Sequence, residues 1–90
     1  MKILKFSAFW CAPCKALASQ LKDYSEHKII SYDFDANPEE FQKYGVKKLP
    51  TVIVVNSEDE ELDKFTGVKT RTEFESWIKN IVDEKLDLSK

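Results

Sequence analysis

The sequence is poor in cysteine, glycine, proline and histidine, and these shortages limit what the protein can be. Its 90 residues include two cysteines, two glycines, three prolines and one histidine. A single cysteine pair is not the dense disulfide framework of a small secreted protein. It is more typical of a catalytic or metal-binding pair in a reducing compartment. Repeats and low-complexity tracts are absent, so each glycine and proline is informative.

Long apolar runs and an excess of positive charge are also missing. No apolar run approaches the ~20 residues that a membrane-spanning helix needs. The net charge of −2, with lysines and acids interspersed, gives no sign of a nucleic-acid surface. Lys5 interrupts the opening apolar segment, so residues 1–5 do not have the pattern of a signal peptide. We therefore expect a cytoplasmic protein with one domain over residues 1–84 and a frayed tail over 85–90.

The two cysteines lie three residues apart, in the stretch Cys11-Ala12-Pro13-Cys14. This spacing suits a reversible dithiol–disulfide couple at a helix N-terminus, and it also suits half of a zinc site. A proline in the first turn of a helix is tolerated, because its missing N–H would have no partner there. Pro13 therefore predicts that a helix begins here, with Cys11 at or just before its N-cap.

Apolar periodicity predicts alternating strands and helices in the order βαβαββα. The predicted strands cover residues 2–9, 29–35, 51–55 and 62–66, and the predicted helices cover 13–26, 38–44 and 71–84. The first βαβ unit implies parallel strands, and the last two strands form an antiparallel hairpin. The fold class is therefore α/β, with a mixed four-stranded sheet and helices on both faces.

Helix-terminus signals support the second and third predicted helices. Asn37 is a candidate N-cap followed by Pro38, and Gly45 is the type of residue that ends a helix. Thr70 and Glu73 have the spacing of a capping box at the start of the last helix. Trp77 lies on the apolar stripe of that helix and is expected to pack in the core.

Three separated motifs resemble the thioredoxin family. Residues 9–15 (FWCAPCK) resemble the family's W-C-G-P-C-K motif, with alanine in place of glycine. Residues 35–38 (DANP) with 44–46 (YGV), and residues 49–51 (LPT), resemble two further family segments. The match runs from residue 2 to 84 and corresponds to a minimal thioredoxin-like fold, without the family's usual first strand and helix.

The resemblance implies a thiol–disulfide oxidoreductase that reduces protein disulfides. Cys11 would be the nucleophile and Cys14 the resolving thiol, so that their own disulfide is the redox group and no metal or other cofactor is implied. The implied substrate-binding residues are Trp10, Ala12, Pro13, Leu49 and Pro50, with a cis bond before Pro50. The implied partners are protein disulfides and a thioredoxin- or glutaredoxin-type reductant, and the chain is expected to be a monomer.

Lys5 departs from the family pattern, in which a buried aspartate lies six residues before the first cysteine. One hypothesis is that the amine of Lys5 lies beneath the cysteine pair and forms an ion pair with Asp33 or Asp35. A positive charge there would favour the thiolate of Cys14 and make the protein more oxidising. Lys5 and Asp33 are therefore candidate redox-tuning residues, and the alternative for Lys5 is a solvated lysine at a strand edge.

Three other functions fit part of this pattern. A glutaredoxin-type protein coupled to glutathione has a similar size, but the sequence lacks the glycine pair that such proteins commonly carry before the last helix. A binding module would use the surface around Trp10 and Pro50 without cysteine chemistry. A zinc module would need about four ligands and therefore a second chain. The three motifs together favour the thioredoxin-type reductase.

Overall fold

A computed structural model describes residues 1–85 of the chain. Its elements follow the predicted order βαβαββα. They are β1 (Lys2–Ser7), α1 (Ala12–Gln20), β2 (Ile29–Asp33), α2 (Pro38–Lys43), β3 (Thr51–Val55), β4 (Glu61–Thr66) and α3 (Arg71–Lys85). None of the helices within these residues has the length and hydropathy needed to cross a membrane.

The four strands form one mixed sheet in the order β2-β1-β3-β4. β1 is parallel to β2 and antiparallel to β3, and β3 is antiparallel to β4. In the β1–β3 pair, Phe6 lies opposite Thr51 and Lys2 lies opposite Val55. The loop after β1 and the loop before β3 therefore meet at one end of the sheet, and the β3–β4 turn lies at the other end.

Each face of the sheet is covered by helix. β3 is buried along its whole length, so its residues alternate between two apolar clusters. Val52 and Val54 pack with the α1 residue Leu17 and the α3 residue Phe74. The opposite face of the sheet packs against α2. The buried residues of this second cluster are Leu4, Phe6, Ile53 and Val55 from the sheet and Phe41 from α2. The predicted sheet with helices on both faces is confirmed.

The first strand and first helix are shorter than predicted. β1 ends at Ser7 because the chain turns at Ala8, whose carbonyl accepts a hydrogen bond from the Cys11 N–H at 3.1 Å. α1 ends at Gln20 rather than at residue 26. Asp23 has a left-handed backbone (φ 65°), which ends helical geometry. Tyr24 still packs against the core, but from outside the helix.

The second strand ends two residues early, and the predicted Asn37 cap is only partly right. The Asp33 carboxylate accepts hydrogen bonds from the N–H groups of Asp35 and Ala36, which turns the chain out of the sheet. Asn37 occupies the N-cap position of α2, but its side chain makes no capping bond. It accepts from the N–H of Asp33 instead, at 3.1 Å.

The remaining terminus signals behave as predicted. Gly45 follows α2 with a left-handed backbone (φ 65°). Thr70 and Glu73 form the reciprocal capping box, with the Thr70 N–H donating to Oε1 of Glu73 at 2.9 Å and the Glu73 N–H donating to Oγ1 of Thr70 at 3.2 Å. Lys85 is the last residue of α3. The rest of the predicted frayed tail, residues 86–90, lies outside the described residues.

Candidate active site

The cysteine pair lies where the loop after β1 enters α1. Cys11 is the N-cap residue of α1, as predicted, and its Sγ accepts a hydrogen bond from the Cys14 N–H at 3.2 Å. Pro13 occupies the first turn, where its lack of an N–H has no consequence. The two cysteines are joined by a disulfide, with their Cα atoms 5.3 Å apart. The helix start therefore holds both sulfur atoms at the end of α1 that favours negative charge.

The two cysteines differ in access to a surface groove rather than in overall burial. The family resemblance implies that Cys11 is the nucleophile and Cys14 the resolving thiol, yet both are buried, with only 6% of Cys11 and 4% of Cys14 exposed in the disulfide form. Both pack with Ala8 and Leu49. Cys11 nevertheless lines the groove described next, and Cys14 is not among its lining residues. A ligand in the groove would therefore meet Cys11 first.

The groove beside Cys11 has a volume of about 540 Å³. Aromatic rings form much of its wall: Trp10 packs edge-on against Phe34 at 6.1 Å, and Phe34 packs edge-on against Phe41 at 5.4 Å between ring centroids. Trp10 is 57% exposed and Phe34 is 47% exposed, which is unusual for large apolar side chains. The lining residues are Trp10, Cys11, Ala12, Pro13, Phe34, Phe41, Val46, Lys47 and Leu49.

The loop before β3 forms the other side of the site. The peptide bond between Leu49 and Pro50 is cis, and the Pro50 carbonyl accepts a hydrogen bond from the Gly67 N–H at 2.9 Å. The Thr51 hydroxyl donates to the Lys48 carbonyl at 2.6 Å. Leu49 lines the groove, whereas Pro50 is buried and does not. Of the five residues predicted to bind substrate, the structure thus brings four together around the groove.

The predicted ion pair of Lys5 is wrong. Lys5 lies in the sheet between Ser31 and Val52, and within residues 1–85 its amine forms no salt bridge with Asp33 or Asp35. The Asp33 carboxylate is instead occupied by two backbone N–H groups. Burial alone lowers the pKa of Lys5 below its ordinary value. Any effect of Lys5 on the reduction potential of the cysteine pair must therefore come from an amine that forms no ion pair with Asp33 or Asp35.

Four groove residues were not predicted from the sequence: Phe34, Phe41, Val46 and Lys47. Phe34 falls in a predicted strand and Phe41 in a predicted helix, and neither carries a local signal for a surface role. Their juxtaposition with Trp10 depends on three segments meeting at one end of the sheet. His27 takes no part in the site, since its Nδ1 lies 3.0 Å from the Tyr24 hydroxyl. Within residues 1–85, no three histidine, cysteine or acidic side chains come together as a metal site.

Comparison with known proteins gives a consistent result. The Thioredoxin family model matches residues 1–80. A thioredoxin from Rickettsia bellii is 30% identical over 83 residues, which are 87% of this chain and 78% of that protein. A thioredoxin from Staphylococcus epidermidis is 37% identical over 76 residues, covering 79% of this chain and 72% of that protein.

Solved structures agree with the sequence comparison. The structure of thioredoxin-2 from a malaria parasite superimposes with a TM-score of 0.78 at 25% identity, covering 88% of this chain and 81% of that chain. The mixed four-stranded sheet of this chain, with helices on both faces, matches the fold of these thioredoxin structures. The chain therefore belongs to the thioredoxin family, and it is a thiol–disulfide oxidoreductase whose redox group is the Cys11–Cys14 disulfide.

Proposed function

We propose that the protein is a cytoplasmic reductant of protein disulfides in which Cys11 attacks the substrate and Cys14 resolves the intermediate. The assignment rests chiefly on one observation: Cys11 lines the open groove, whereas Cys14 lies one turn into α1 and away from it. The first sulfur to meet a substrate disulfide is then that of Cys11. A cytoplasmic setting is supported by a composition with only one cysteine pair.

The surroundings of Cys11 favour its thiolate once the disulfide is reduced. The free N–H groups at the start of α1 and the positive end of the helix dipole both stabilise negative charge on an N-cap sulfur. The Cys14 N–H already points at Cys11 Sγ, at 3.2 Å. These interactions lower the pKa of a thiol at this position, and the thiolate is the reactive nucleophile.

The proposed reaction is two successive thiol–disulfide exchanges. The Cys11 thiolate attacks one sulfur of the substrate disulfide; that S–S bond breaks, a mixed disulfide forms, and the departing substrate thiolate takes up a proton. Cys14 then loses its proton and attacks the Cys11 sulfur, which releases the second substrate thiol and closes the Cys11–Cys14 disulfide. Two electrons pass to the substrate in total. A dithiol reductant of the thioredoxin-reductase or glutaredoxin type must return them, which completes the cycle.

The groove supplies the binding surface for the polypeptide around the substrate disulfide. Trp10, Ala12, Pro13 and Leu49 line the groove together with Cys11. The small side chain of Ala12 would let an extended chain approach the Cys11 sulfur. Pro50, which is buried, would act by holding Leu49 in place. The protein is proposed to act as a monomer, because each chain contains the complete cysteine pair and groove.

The test is dithiothreitol-driven reduction of insulin, with Cys11→Ser and Cys14→Ser as a matched pair of variants. The wild type should accelerate reduction well above dithiothreitol alone, and both variants should lose this activity. The variants should differ in trapping: Cys14→Ser should accumulate a mixed disulfide with a substrate protein, and Cys11→Ser should not. If Cys11→Ser is the variant that traps substrate, the assignment of the two roles is wrong. If the wild type does not accelerate the reaction, the general reductase function is wrong.

A further inference from the structure

The surface next to the groove carries three lysines and no carboxylate. A second cleft of about 190 Å³ adjoins the groove and shares Val46 and Lys47 with it. Lys47, Lys48 and Lys64 line this cleft, together with the hydroxyl-bearing residues Thr51 and Thr66. We call this cleft, with its three lysines, the basic cleft. The basic cleft begins beside the groove that contains Cys11 and extends to the outer strand β4.

The lysines of the basic cleft are available to a ligand. Their side chains are exposed, and the two salt bridges found within residues 1–85, Lys2–Asp59 and Arg71–Glu75, do not involve them. No aspartate or glutamate lines either the groove or the cleft. Asp33 and Asp35 flank Phe34 in the chain, but neither lines the groove or the cleft, and the Asp33 carboxylate accepts hydrogen bonds from backbone N–H groups. Within residues 1–85, no salt bridge therefore neutralises the three lysines.

This positive surface contrasts with the net charge of the whole chain, which is −2. Glu58, Asp59 and Glu60 occupy the β3–β4 turn and Glu61 begins β4, at the end of the sheet where Val55 pairs with Lys2. The active site lies at the opposite end, where Thr51 pairs with Phe6. The acidic turn therefore lies at the end of the sheet remote from the disulfide. A negatively charged partner would be oriented with its acidic side toward the disulfide.

We propose that the basic cleft selects protein substrates that carry acidic residues beside the disulfide to be reduced. This inference rests on the proposed reductase function and adds a substrate class to it. A chain segment in the groove would place an apolar side chain among Trp10, Phe34 and Phe41, and its continuation would pass Lys47. Carboxylates on that continuation would then meet Lys47, Lys48 and Lys64.

A polypeptide fits this arrangement better than a small anion does. The cleft shares Val46 and Lys47 with the groove, so a ligand held by the lysines extends to Cys11 only if it is long. The aromatic wall offers a site for an apolar side chain, which inorganic phosphate lacks. We therefore expect one polypeptide segment of the substrate to occupy both the groove and the basic cleft.

The first test compares two disulfide peptides with the wild-type protein. Both peptides have the same cyclic disulfide core and the same aromatic residue, and they differ only in whether aspartates or lysines flank the core. At about 0.01 M salt, where the Debye length is about 30 Å, we expect kcat/KM to favour the acidic peptide by about tenfold. At about 1 M salt, where the Debye length is about 3 Å, the preference should nearly disappear. Equal rates for the two peptides at low salt would overturn the inference.

The second test assigns the preference to the basic cleft. The triple variant Lys47→Gln, Lys48→Gln, Lys64→Gln should lower the preference at low salt to below about threefold. The control variant Lys22→Gln, Lys28→Gln, Lys79→Gln removes the same charge from exposed lysines that line neither groove nor cleft. It should keep the preference. If both variants lose it equally, net charge rather than the basic cleft is responsible, and the inference is wrong.

Insulin reduction by the same preparations separates the two proposals. A wild-type protein that reduces insulin but treats both peptides alike retains the reductase function and loses the substrate class. A protein that reduces neither insulin nor peptide contradicts both. If inorganic phosphate at constant ionic strength suppresses reduction of the acidic peptide to the rate of the basic one, the cleft is a small-anion site, and the polypeptide assignment fails.

Discussion

Arg71 connects the start of α3 to the end of α1, and replacing it by alanine should destabilise the protein. Its Nη1 donates to the Lys22 carbonyl at 2.8 Å and more weakly to the Gln20 carbonyl at 3.4 Å. Its Nε pairs with Glu75 at 2.8 Å, and its guanidinium lies 5.5 Å from the centre of the Tyr24 ring. These contacts satisfy carbonyl groups at the end of α1 that have no helical partner.

The size of the effect follows from these contacts. Hydrogen bonds from a charged donor contribute about 1.5–3 kcal/mol when buried, and here solvent reduces the two together to about 1 kcal/mol. The exposed ion pair with Glu75 adds about 0.3–0.5 kcal/mol, and the ring contact adds about 0.5 kcal/mol. The loss in Arg71→Ala is then about 2 kcal/mol. For a domain of this size the melting temperature should fall by about 8–16 °C.

The assay is urea unfolding at neutral pH, supported by thermal melting, with Glu75→Gln as the matched variant. Glu75→Gln removes the ion pair but leaves the contacts of Arg71 with α1 in place, so it should cost about 0.5 kcal/mol or less. Arg71→Lys keeps a positive charge but lacks the planar fork, and it should lie between the other two variants. If Arg71→Ala costs no more than Glu75→Gln, the contacts with the end of α1 do not contribute to stability, and the reasoning is refuted.

Three further substitutions test other parts of the structure. Thr70→Ala removes one half of the capping box of α3 and should lower the free energy of unfolding by about 1 kcal/mol in urea titration, and a loss below the error of measurement would contradict a capping role. Phe74→Ala leaves a cavity between α3 and the sheet and should lower the free energy of unfolding by about 3–5 kcal/mol. The control Glu75→Ala, at an exposed neighbouring position, should lower it by no more than about 0.5 kcal/mol. Lys5→Met removes an amine whose pKa burial lowers below the ordinary value of 10.5. Between the lowered pKa and 10.5 the unfolded chain binds more protons than the folded one, so wild-type stability rises with pH across this window. Lys5→Met should therefore stabilise the protein by up to about 1 kcal/mol at pH below the window, and the gain should vanish above it. Urea titrations across this pH range measure the effect, with Lys64→Met as the control at an exposed position. A stability gain of Lys5→Met that is the same at every pH would contradict the prediction.

The sequence alone predicted the fold because most of its signals are local. Pro13 after Cys11, the Thr70–Glu73 spacing and Gly45 each specify backbone geometry within one helical turn. The four apolar residues that follow Thr51 in β3 predict a strand. These features place Cys11 at the N-cap of α1 without knowledge of the rest of the chain.

The errors lie where hydrogen bonds that the residue pattern does not specify determine the structure. The apolar stripe of α1 continues to Tyr24, yet the helix ends at Gln20, and Arg71 donates hydrogen bonds to the carbonyls of Gln20 and of Lys22 just beyond the helix. The expected Lys5 ion pair failed because the Asp33 carboxylate bonds to the backbone N–H groups that follow it. The sequence shows which hydrogen-bond donors are present, but it does not determine which of them the carboxylate binds.

The chemistry of this protein was determined by the sequence, and the surface that directs this chemistry was decided by the tertiary structure. A thiol pair separated by one helical turn, with a proline in the first turn, suits a dithiol couple or half of a zinc site, and the family resemblance of the three motifs favours the dithiol couple. The groove walls come from the segment before α1, the loop after β2, α2 and the loop before β3. Packing these segments at one end of the sheet brings Trp10, Phe34 and Lys47 together, because burial of the apolar faces of the sheet fixes where each loop emerges.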